Sequence, residues 1–397
     1  MRRGLVAFGE EISRELERVE TTVVHEIVRK KYSCRKCQEG VVTAPWRGKV
    51  IEKGLLGPGF LAHVITERFG NHLPYYRLES QYKSEGLDLS RSVLCESMAR
   101  CAELLEPIAE ELKREILGSA VIHTDDTPVT VARSREGGSR EGRVWVYLNR
   151  DGRHWYDFTP TRKRDGPARV FGEFTGFIQA DAYGGYDRLY APGGATEVGC
   201  WAHVRRKFVD AEASDPDLSR AAVDRIRELF RIEEEIAGLS DDERRVVRHE
   251  RARPLLEEFA AWMRLASTQV LRKSPMAQAI GYAQNQWTAL TRYVDDGRLS
   301  ISNNAAERAL RPMAIGRKNW LFFQREGGGK TASILMSLLM TARAAGVDPR
   351  DYFKDVLLRI ATCPNAARLT PHGWKERFEA EVKARRNEIL EKIVGVA

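Results

Sequence analysis

Between Gly118 and Cys200 the chain alternates short apolar runs with turn residues, a pattern typical of β-strands. The runs predict five strands, at residues 119–124, 143–148, 154–158, 176–180 and 196–200. The turn at Asn149–Gly152 predicts a hairpin between the second and third strands. A short helix is predicted at 167–174 and another from Trp201 to Phe208. We therefore expect one mixed five-stranded sheet with flanking helices.

Helical spacing of apolar residues dominates on both sides of this region. Phe60, Val64 and Phe69 predict a helix that Gly70–Pro74 ends. A second helix is predicted from Tyr75 to Ser84, and Ser90 caps a third that extends to Leu117. This pattern is that of a helix-turn-helix, but an ordinary helical bundle explains it equally well. Residues 210–298 are predicted to be almost wholly helical, followed by apolar helices at 331–344 and 349–360.

The first 50 residues carry β-branched stretches such as Val23–Val28, which predict short strands. Cys34 and Cys37 form a C-x-x-C pair, which supplies two of the four thiolates or imidazoles that a structural zinc site needs. A redox role would require a βαβ setting, which the pattern lacks. We interpret the pair as half of a zinc-ribbon site, with Zn²⁺ as its candidate metal.

The charge of the chain narrows the class of partner. The 397 residues carry a formal net charge of +8, and the basic residues are clustered. Clustered cations favour a polyanion, of which nucleic acid is the commonest. The six cysteines are scattered along a long chain, which favours a reducing compartment. We find no apolar run long enough for a membrane span and no signal-peptide core, and expect a cytoplasmic, nucleoid-associated protein without a membrane partner.

The stretch Ser300–Trp320 starts with capping residues and becomes strongly basic. Its one acid, Glu307, stands three residues after Asn304, the spacing of a capping box. On this stretch alone that interpretation is favoured over a metal ligand. Gly327–Thr331 ends like a phosphate-binding loop, but Gln324 stands where that motif needs glycine. We therefore exclude nucleotide hydrolysis and predict a mobile glycine loop near the partner.

Two predicted neighbouring strands end on aspartates, Asp125 and Asp181. Carboxylates at adjacent strand ends repel one another unless cations separate them. Two Mg²⁺ ions would remove that repulsion and could drive an in-line phosphoryl transfer. Glu307 is the candidate third acid. In extended chain only one of Asp125 and Asp126 can face such a site; we choose Asp125, with Asp126 as the alternative. Taken alone, each acid could be an ordinary turn residue.

The chain resembles transposases of the insertion sequence 66 family, a branch of the DDE transposases. Eight motifs carry the resemblance in order: Tyr32–Cys37, His72–Arg77, His123–Pro128, Asp181–Tyr186, Cys200–Phe208, Ser302–Arg308, Gly346–Pro349 and Leu369–Trp374. The family usually has glutamate where this chain has Asp126. It also has two cysteine pairs near its start, so we expect a shortened or differently started copy here.

The resemblance implies an RNase H-like catalytic core, with Asp125, Asp181 and Glu307 as the triad and Mg²⁺ or Mn²⁺ as the metal. DNA at the terminal inverted repeats and target DNA are the expected partners, together with a homo-oligomer on DNA and accessory proteins of the same element. Cys200 and His203 match an element that supports the site or positions DNA rather than a zinc pair. Seven basic residues are expected to contact DNA: Arg205, Arg206, Lys207, Arg308, Arg311, Arg317 and Lys318.

We expect six segments. They are a partial zinc-ribbon-like region (1–50), a helix-turn-helix-like region with a linker helix (51–117), the first part of the core (118–209), a helical insertion (210–298), the last part of the core (299–362) and a tail (363–397). Two alternatives to an active transposase stay open. One is a non-catalytic, sequence-specific DNA-binding protein, and the other is a nuclease that cuts without terminal repeats and never joins ends.

Overall fold

The computed structural model describes residues 22–34, 40–43, 49–132 and 137–394. Residues 1–48 and 49–397 form two separate compact units. In the first, β1 (Lys31–Ser33) pairs antiparallel with β2 (Val41–Thr43). The strand predicted at Val23–Val28 is wrong, because these exposed residues have no regular structure and pair with no strand in the described part of the chain. Cys34 follows β1, whereas Cys37 lies outside the described residues, so zinc binding stays a prediction.

The second unit contains the predicted five-stranded mixed sheet. Its spatial order is β5-β4-β3-β6-β7. The strands are β3 (Val121–Ala132), β4 (Ser139–Leu148), β5 (His154–Thr159), β6 (Phe177–Gln179) and β7 (Thr196–Val198). The first three pair antiparallel, and β6 and β7 run parallel to β3. The predicted hairpin between β4 and β5 is confirmed.

Helices surround the sheet and account for most of the remaining chain. Before it come α1 (Pro58–Ile65), α2 (Tyr75–Ser84) and α3 (Arg91–Leu117), and within it α4 (Asp165–Phe171). After β7 come α5 (Trp201–Asp210), α6 (Pro216–Glu235), α7 (Asp241–Val247), α8 (Arg253–Gln269), α9 (Pro275–Asn285) and α10 (Trp287–Thr291). The last four are α11 (Asn304–Trp320), α12 (Glu326–Ala344), α13 (Pro349–Arg359) and α14 (Pro371–Val394).

The helices of the predicted helix-turn-helix region pack into the main core. Leu61 on α1 and Leu94 on α3 belong to the same buried cluster as Val146 on β4 and Leu335 on α12. Ser90 caps α3 as predicted, its Oγ accepting from the backbone N–H of Val93. A role of these helices in DNA binding stays a prediction, since their packing is that of a helical layer on the sheet.

Helix α12 covers the outer edge of the sheet and protects it. Because β5 is an edge strand, its outward N–H groups need partners. Ser337 Oγ accepts from Tyr156 N at 2.8 Å, and Thr341 Oγ1 accepts from His154 N at 2.9 Å. The approach is close at Gly329, where a Cβ would overlap the Phe158 ring. The mobile glycine loop predicted at Gly327–Thr331 is therefore wrong: these residues form the start of α12.

The predicted helical insertion has a core of its own at the other edge of the sheet. Phe259 and Trp287 pack there against Trp201 and Phe208 of α5. Trp201 is fully buried and donates Nε1–H to Leu290 O at 2.9 Å, so it is a core residue. The insertion is thus continuous with the elements that follow the sheet. No helix among the described residues combines the length and the apolar character that crossing a bilayer demands.

Candidate active site

The two candidate aspartates lie level with one another at adjacent strands. Strand β3 pairs with β6 in parallel register up to His123 opposite Gln179. Counting two residues on from this last pair, Asp125 corresponds to Asp181, which lies just beyond the end of β6. The charge of Asp181 contributes to the raised pKa of Asp125, so the two carboxyl groups are near one another. The prediction that β3 ends at Asp125 is wrong. It continues to Ala132, because β4 goes on pairing with it after β6 has stopped.

Asn303, directly before α11, fastens this helix to the sheet. Its Nδ2 donates to Thr124 O at 2.9 Å, and its Oδ1 lies 3.2 Å from His123 Nδ1. Its backbone N–H donates to Cys200 Sγ at 3.1 Å. Asn303 is fully buried. These contacts place the start of α11 against β3 just before Asp125, and give Cys200 the role of a hydrogen-bond acceptor.

The loop before Asn303 is fastened in a similar way by Gln179, the last residue of β6. Its Nε2 donates to Ser300 O at 2.5 Å and to Gly199 O at 3.2 Å, and its Oε1 accepts from Ser300 N at 3.3 Å. The side chain is fully buried. One amide therefore connects β6, the segment after β7 and the approach to α11, which are the three parts of the chain that meet at the site.

Glu307 stands one turn into α11, beside the basic helix α5. The capping box predicted from Asn304 and Glu307 is not formed, because the N-cap of α11 is Asn303, whose side chain makes no cap hydrogen bond, and Asn304 is already helical. Glu307 Oε1 is buried without a hydrogen-bond partner and lies 3.7 Å from His203 Nε2. Its Oε2 lies 3.7 Å from Arg206. Glu307 thus faces His203 and Arg206 of α5 rather than its own helix end.

Asp126 points away from Asp125 and is held by two arginines. Its nearly inaccessible carboxylate lies 3.1 Å from Arg143 and 2.9 Å from Arg162. Arg162 also lies 3.8 Å from Asp181 Oδ2 and over the Tyr183 ring at 4.1 Å. The two arginines therefore balance the negative charge of Asp126, and Arg162 also contacts Asp181 of the candidate site.

The electrostatics of the site oppose ionisation of Asp125. Its pKa is raised to about 7, chiefly by burial, and the negative charges of Asp181, Asp126 and Glu307 add to the rise. The hydrogen bond from the backbone N–H of Asp126 lowers the pKa in part. Burial also raises the pKa of Asp181, partly offset by His203 and Arg162. Burial lowers the pKa of His203, which favours its neutral form near pH 7. The three candidate acids thus act on one another electrostatically.

The described residues contain no group of three or more histidine, cysteine or acidic side chains arranged to hold a metal. The ion-pair distances explain this, since Asp181 approaches Arg162 and Glu307 approaches His203. The donor chemistry nevertheless fits a hard divalent cation. Carboxylate oxygens are the ligands such ions prefer, they are crowded here, and Glu307 Oε1 lacks any hydrogen-bond donor.

Comparison with known proteins places the chain in a family. Residues 53–331 match the family described as "Transposase IS66 family". The chain belongs to the IS66 family of transposases. Three Sinorhizobium fredii proteins are similar to it. The protein named "Uncharacterized protein y4hP" is 31% identical over 407 residues, covering 95% of this chain and 73% of that protein. "Uncharacterized protein y4qI" is 33% identical over 376 residues, covering 90% and 69%. "Uncharacterized protein y4jD" is 29% identical over 388 residues, covering 92% and 76%.

Membership of the IS66 family supports a transposase role and implies DNA as the partner. Most of the predicted DNA-contacting residues are exposed on two helices beside the acids. They are Arg205, Arg206 and Lys207 on α5 and Arg308, Arg311 and Lys318 on α11. Arg317 differs, because it donates to Thr127 Oγ1 at 2.9 Å and to Pro128 O, and so ties α11 to β3.

Sequence reasoning missed several residues that build this IS66-family site. Gln179 and Asn303 were not singled out as positioning residues, nor Arg143 and Arg162 as partners of Asp126. A signal existed for Asn303 and Gln179, since each is a polar residue directly beside a predicted element boundary. The arginines gave none, because ion pairs between residues 17 and 36 positions apart depend on how the sheet pairs.

Proposed function

We propose that this protein is a DNA transposase that cuts and joins DNA at the terminal inverted repeats of its element. In this proposal Asp125, Asp181 and Glu307 are the acidic triad of an RNase H-like core. The observation that carries it is the parallel register of β3 and β6, which brings Asp125 level with Asp181. The anchoring of α11 by Asn303 supports the inclusion of Glu307.

The three acids would hold Mg²⁺ or Mn²⁺. Their crowding in a buried setting, with the pKa of Asp125 raised, is the condition that a bound divalent cation relieves. Bound there, such ions activate an attacking hydroxyl and stabilise the leaving oxygen of a phosphoryl transfer. The carboxylates must lose their contacts with Arg162 and His203 to share a cation, so we expect both side chains to move when metal and DNA bind.

The remaining residues of the site have roles that do not depend on the metal. Arg308 and Arg311 lie on the exposed face of α11 next to Glu307 and would bind the phosphates beside the scissile bond. Arg205 and Lys207 would do the same from α5. Until metal binds, His203 and Arg206 of α5 hold the carboxylate of Glu307 in place. By the family resemblance, we expect the protein to act as a homo-oligomer on DNA with accessory proteins.

The experiment is a cleavage and strand-transfer assay on the flanking inverted repeats, with and without divalent metal. Asp181→Asn should abolish metal-dependent cleavage while DNA binding survives, because the amide keeps the shape of the side chain and loses its charge. Asp217→Asn is the matched control, since that carboxylate is 95% exposed on the insertion. Normal cleavage by Asp181→Asn would refute the assignment of the triad.

A second candidate is a DNA-binding protein that has lost catalysis. The observation that favours it is the absence, among described residues, of a ready group of three metal-ligating side chains. Under this alternative the wild-type protein binds the inverted repeats but cuts nothing in Mg²⁺ or Mn²⁺. Metal-dependent cleavage by the wild type, lost in Asp181→Asn, would exclude it.

A further inference from the structure

The exposed face of α11 carries a continuous stripe that begins beside Glu307. Arg308, Arg311, Ile315 and Lys318 are all exposed, and their spacing of three, four and three residues keeps them on one side of the helix. Within the described part of the chain, none of the three cations has an ion-pair partner. A row of unpaired cations on one helix face is suited to the phosphates of a nucleic-acid strand.

The stripe ends in an exposed apolar tip, Leu321–Phe322, directly after α11. Leu321 is 64% exposed and Phe322 is 48% exposed. Leu321 has φ of 66° and ψ of −48°, and Phe322 N donates to Trp320 O at 2.7 Å. These values define the γ-turn with positive φ, which is rare and strained. Two large apolar side chains are thus presented to solvent by a backbone conformation that a leucine seldom adopts.

The residues on either side of the tip hold it in this conformation. Trp320 and Phe323 stack with their ring centroids 4.5 Å apart. The backbone of Phe323 accepts from Ala132 N at 2.9 Å and donates to Thr130 O at 2.8 Å, joining it to the end of β3. Strain persists only where the surrounding structure imposes it, and such positions cluster at binding and catalytic sites. Here the imposed strain turns two apolar side chains outward rather than into the core.

The length of α11 sets how far the tip lies from the site. The last helical residue, Trp320, stands 13 residues after Glu307, which is about 20 Å of helix at 1.5 Å per residue, and the tip follows directly. That distance corresponds to about six nucleotide steps of a duplex, at 3.4 Å per step. A duplex bound with its axis along α11 and its scissile phosphate at Glu307 would therefore reach the tip about six nucleotides away, after passing the cations of the stripe.

We propose that the Leu321–Phe322 tip is a base-contacting wedge, which stacks on or separates a base of the bound DNA about six nucleotides from the scissile phosphate. Apolar wedges inserted between base steps, and aromatic rings that stack on unpaired bases, are established ways of binding DNA without reading its sequence. This inference rests on the proposed function, because the phosphate position at Glu307 defines the distance. The charge of the adjoining stripe favours DNA over an apolar protein partner.

The test uses the Asp181→Asn variant of the whole 397-residue chain, so that binding is observed without cleavage. Inverted-repeat duplexes carry single 2-aminopurine substitutions at successive positions, and their fluorescence reports unstacking or stacking of that base. We expect a change centred about six nucleotides from the cleavage point. Phe322→Ala should remove it and weaken binding about five- to thirtyfold. Leu265→Ala, at an apolar residue of the insertion that is 67% exposed, should change neither.

Two further variants separate the contributions. Arg311→Ala should weaken binding and reduce the slope of log affinity against log salt by about one, while the 2-aminopurine signal keeps its position. Leu321→Gly should raise the unfolding midpoint, since glycine accepts positive φ without strain, and should still weaken binding. A variant that is more stable and yet binds DNA more weakly would show that the loss of affinity does not come from misfolding.

The outcomes are distinguishable from those of the proposed function. Unchanged fluorescence and affinity in Phe322→Ala would overturn the wedge even if the wild type cuts DNA. A wild type that never cuts, but whose fluorescence change depends on Phe322, would retain the wedge and refute the transposase proposal. If Phe322→Ala alters only the sedimentation of the free protein, the tip is a contact between protein copies and the wedge is refuted.

Discussion

At the scale of single residues, the fold opposes the charge of Asp125. An unfolded aspartate has a pKa near 3.8, whereas burial and three neighbouring acids raise the pKa of Asp125 to about 7. The folded state therefore holds its proton more tightly than the unfolded state does. Stability contributed by this group is present at low pH and falls as the pH rises from about 4 to about 7. A bound divalent cation would offset this cost of ionising Asp125 in the folded state.

We predict that Asp125→Asn stabilises the metal-free protein at pH 8, by about 2–4 kcal/mol, since each pKa unit corresponds to about 1.4 kcal/mol. The advantage should shrink as the pH falls from about 7 and vanish below about pH 3, where the wild-type carboxyl is protonated in both the folded and the unfolded state. Urea unfolding in the presence of a chelator, at a series of pH values, measures the difference. Mn²⁺ should stabilise the wild type at pH 8 but not the variant. Parallel pH profiles for the two proteins would contradict the raised pKa.

At the scale of elements, the packing of α12 on the edge strand β5 requires a residue without a side chain. Gly329 sits where any Cβ would overlap the Phe158 ring, while a Cβ at Gly327 would meet nothing within 4 Å. Both glycines lie in the first turns of the same helix. They therefore form a matched pair in which only one position is sterically restricted.

We predict that Gly329→Ala destabilises the protein by about 1–3 kcal/mol, because the ring or the helix must shift to admit the methyl group. Gly327→Ala should be neutral or stabilising by about 0.5–1 kcal/mol, since alanine loses less conformational entropy in a helix. Thermal unfolding of both variants measures this. Equal changes in stability at the two positions would show that helix propensity, and not the contact with β5, determines the effect of these substitutions.

At the scale of the whole molecule, the insertion is connected to the site through a buried arginine. Arg248 is fully buried and pairs with Glu233 of α6 at 2.6 Å. It also donates to the carbonyl groups of Tyr293, Asp296 and Leu299. Leu299 directly precedes the segment that Gln179 and Asn303 fasten. The insertion thus helps to hold the approach to α11, and with it the position of Glu307.

We predict that Arg248→Met destabilises the protein by about 3 kcal/mol, because it leaves buried Glu233 with Arg244 as its remaining partner and removes the donor of three carbonyl groups. Arg227→Met is the matched control. That arginine pairs with Asp224 at 2.7 Å in an exposed setting, and its loss should cost less than about 0.5 kcal/mol. Chemical denaturation compares them. Similar losses would mean that Arg248 is not the connection we describe.

The sequence by itself determined the elements and their chemical character. Alternating and helical patterns predicted the five strands and most helices, since each depends on residues a few positions apart. Ser90 as a cap and Trp201 as the first residue of a helix followed from the same local rules. Ambiguous local patterns gave two wrong predictions. One was a strand at the exposed Val23–Val28 stretch, and the other was a mobile loop at the glycines that begin α12.

Only the tertiary structure decided which groups meet. The parallel register of β3 and β6 brings Asp125 level with Asp181, and no local pattern encodes a pairing across 56 positions. Asn303 could have capped its own helix, but its side chain is buried against β3, where it contacts the ring of His123 and donates to the carbonyl oxygen of Thr124. The strained tip at Leu321 likewise exists because Trp320 and Phe323 are held from both sides. Such choices depend on contacts between distant parts of the chain, which form only when the whole core is packed.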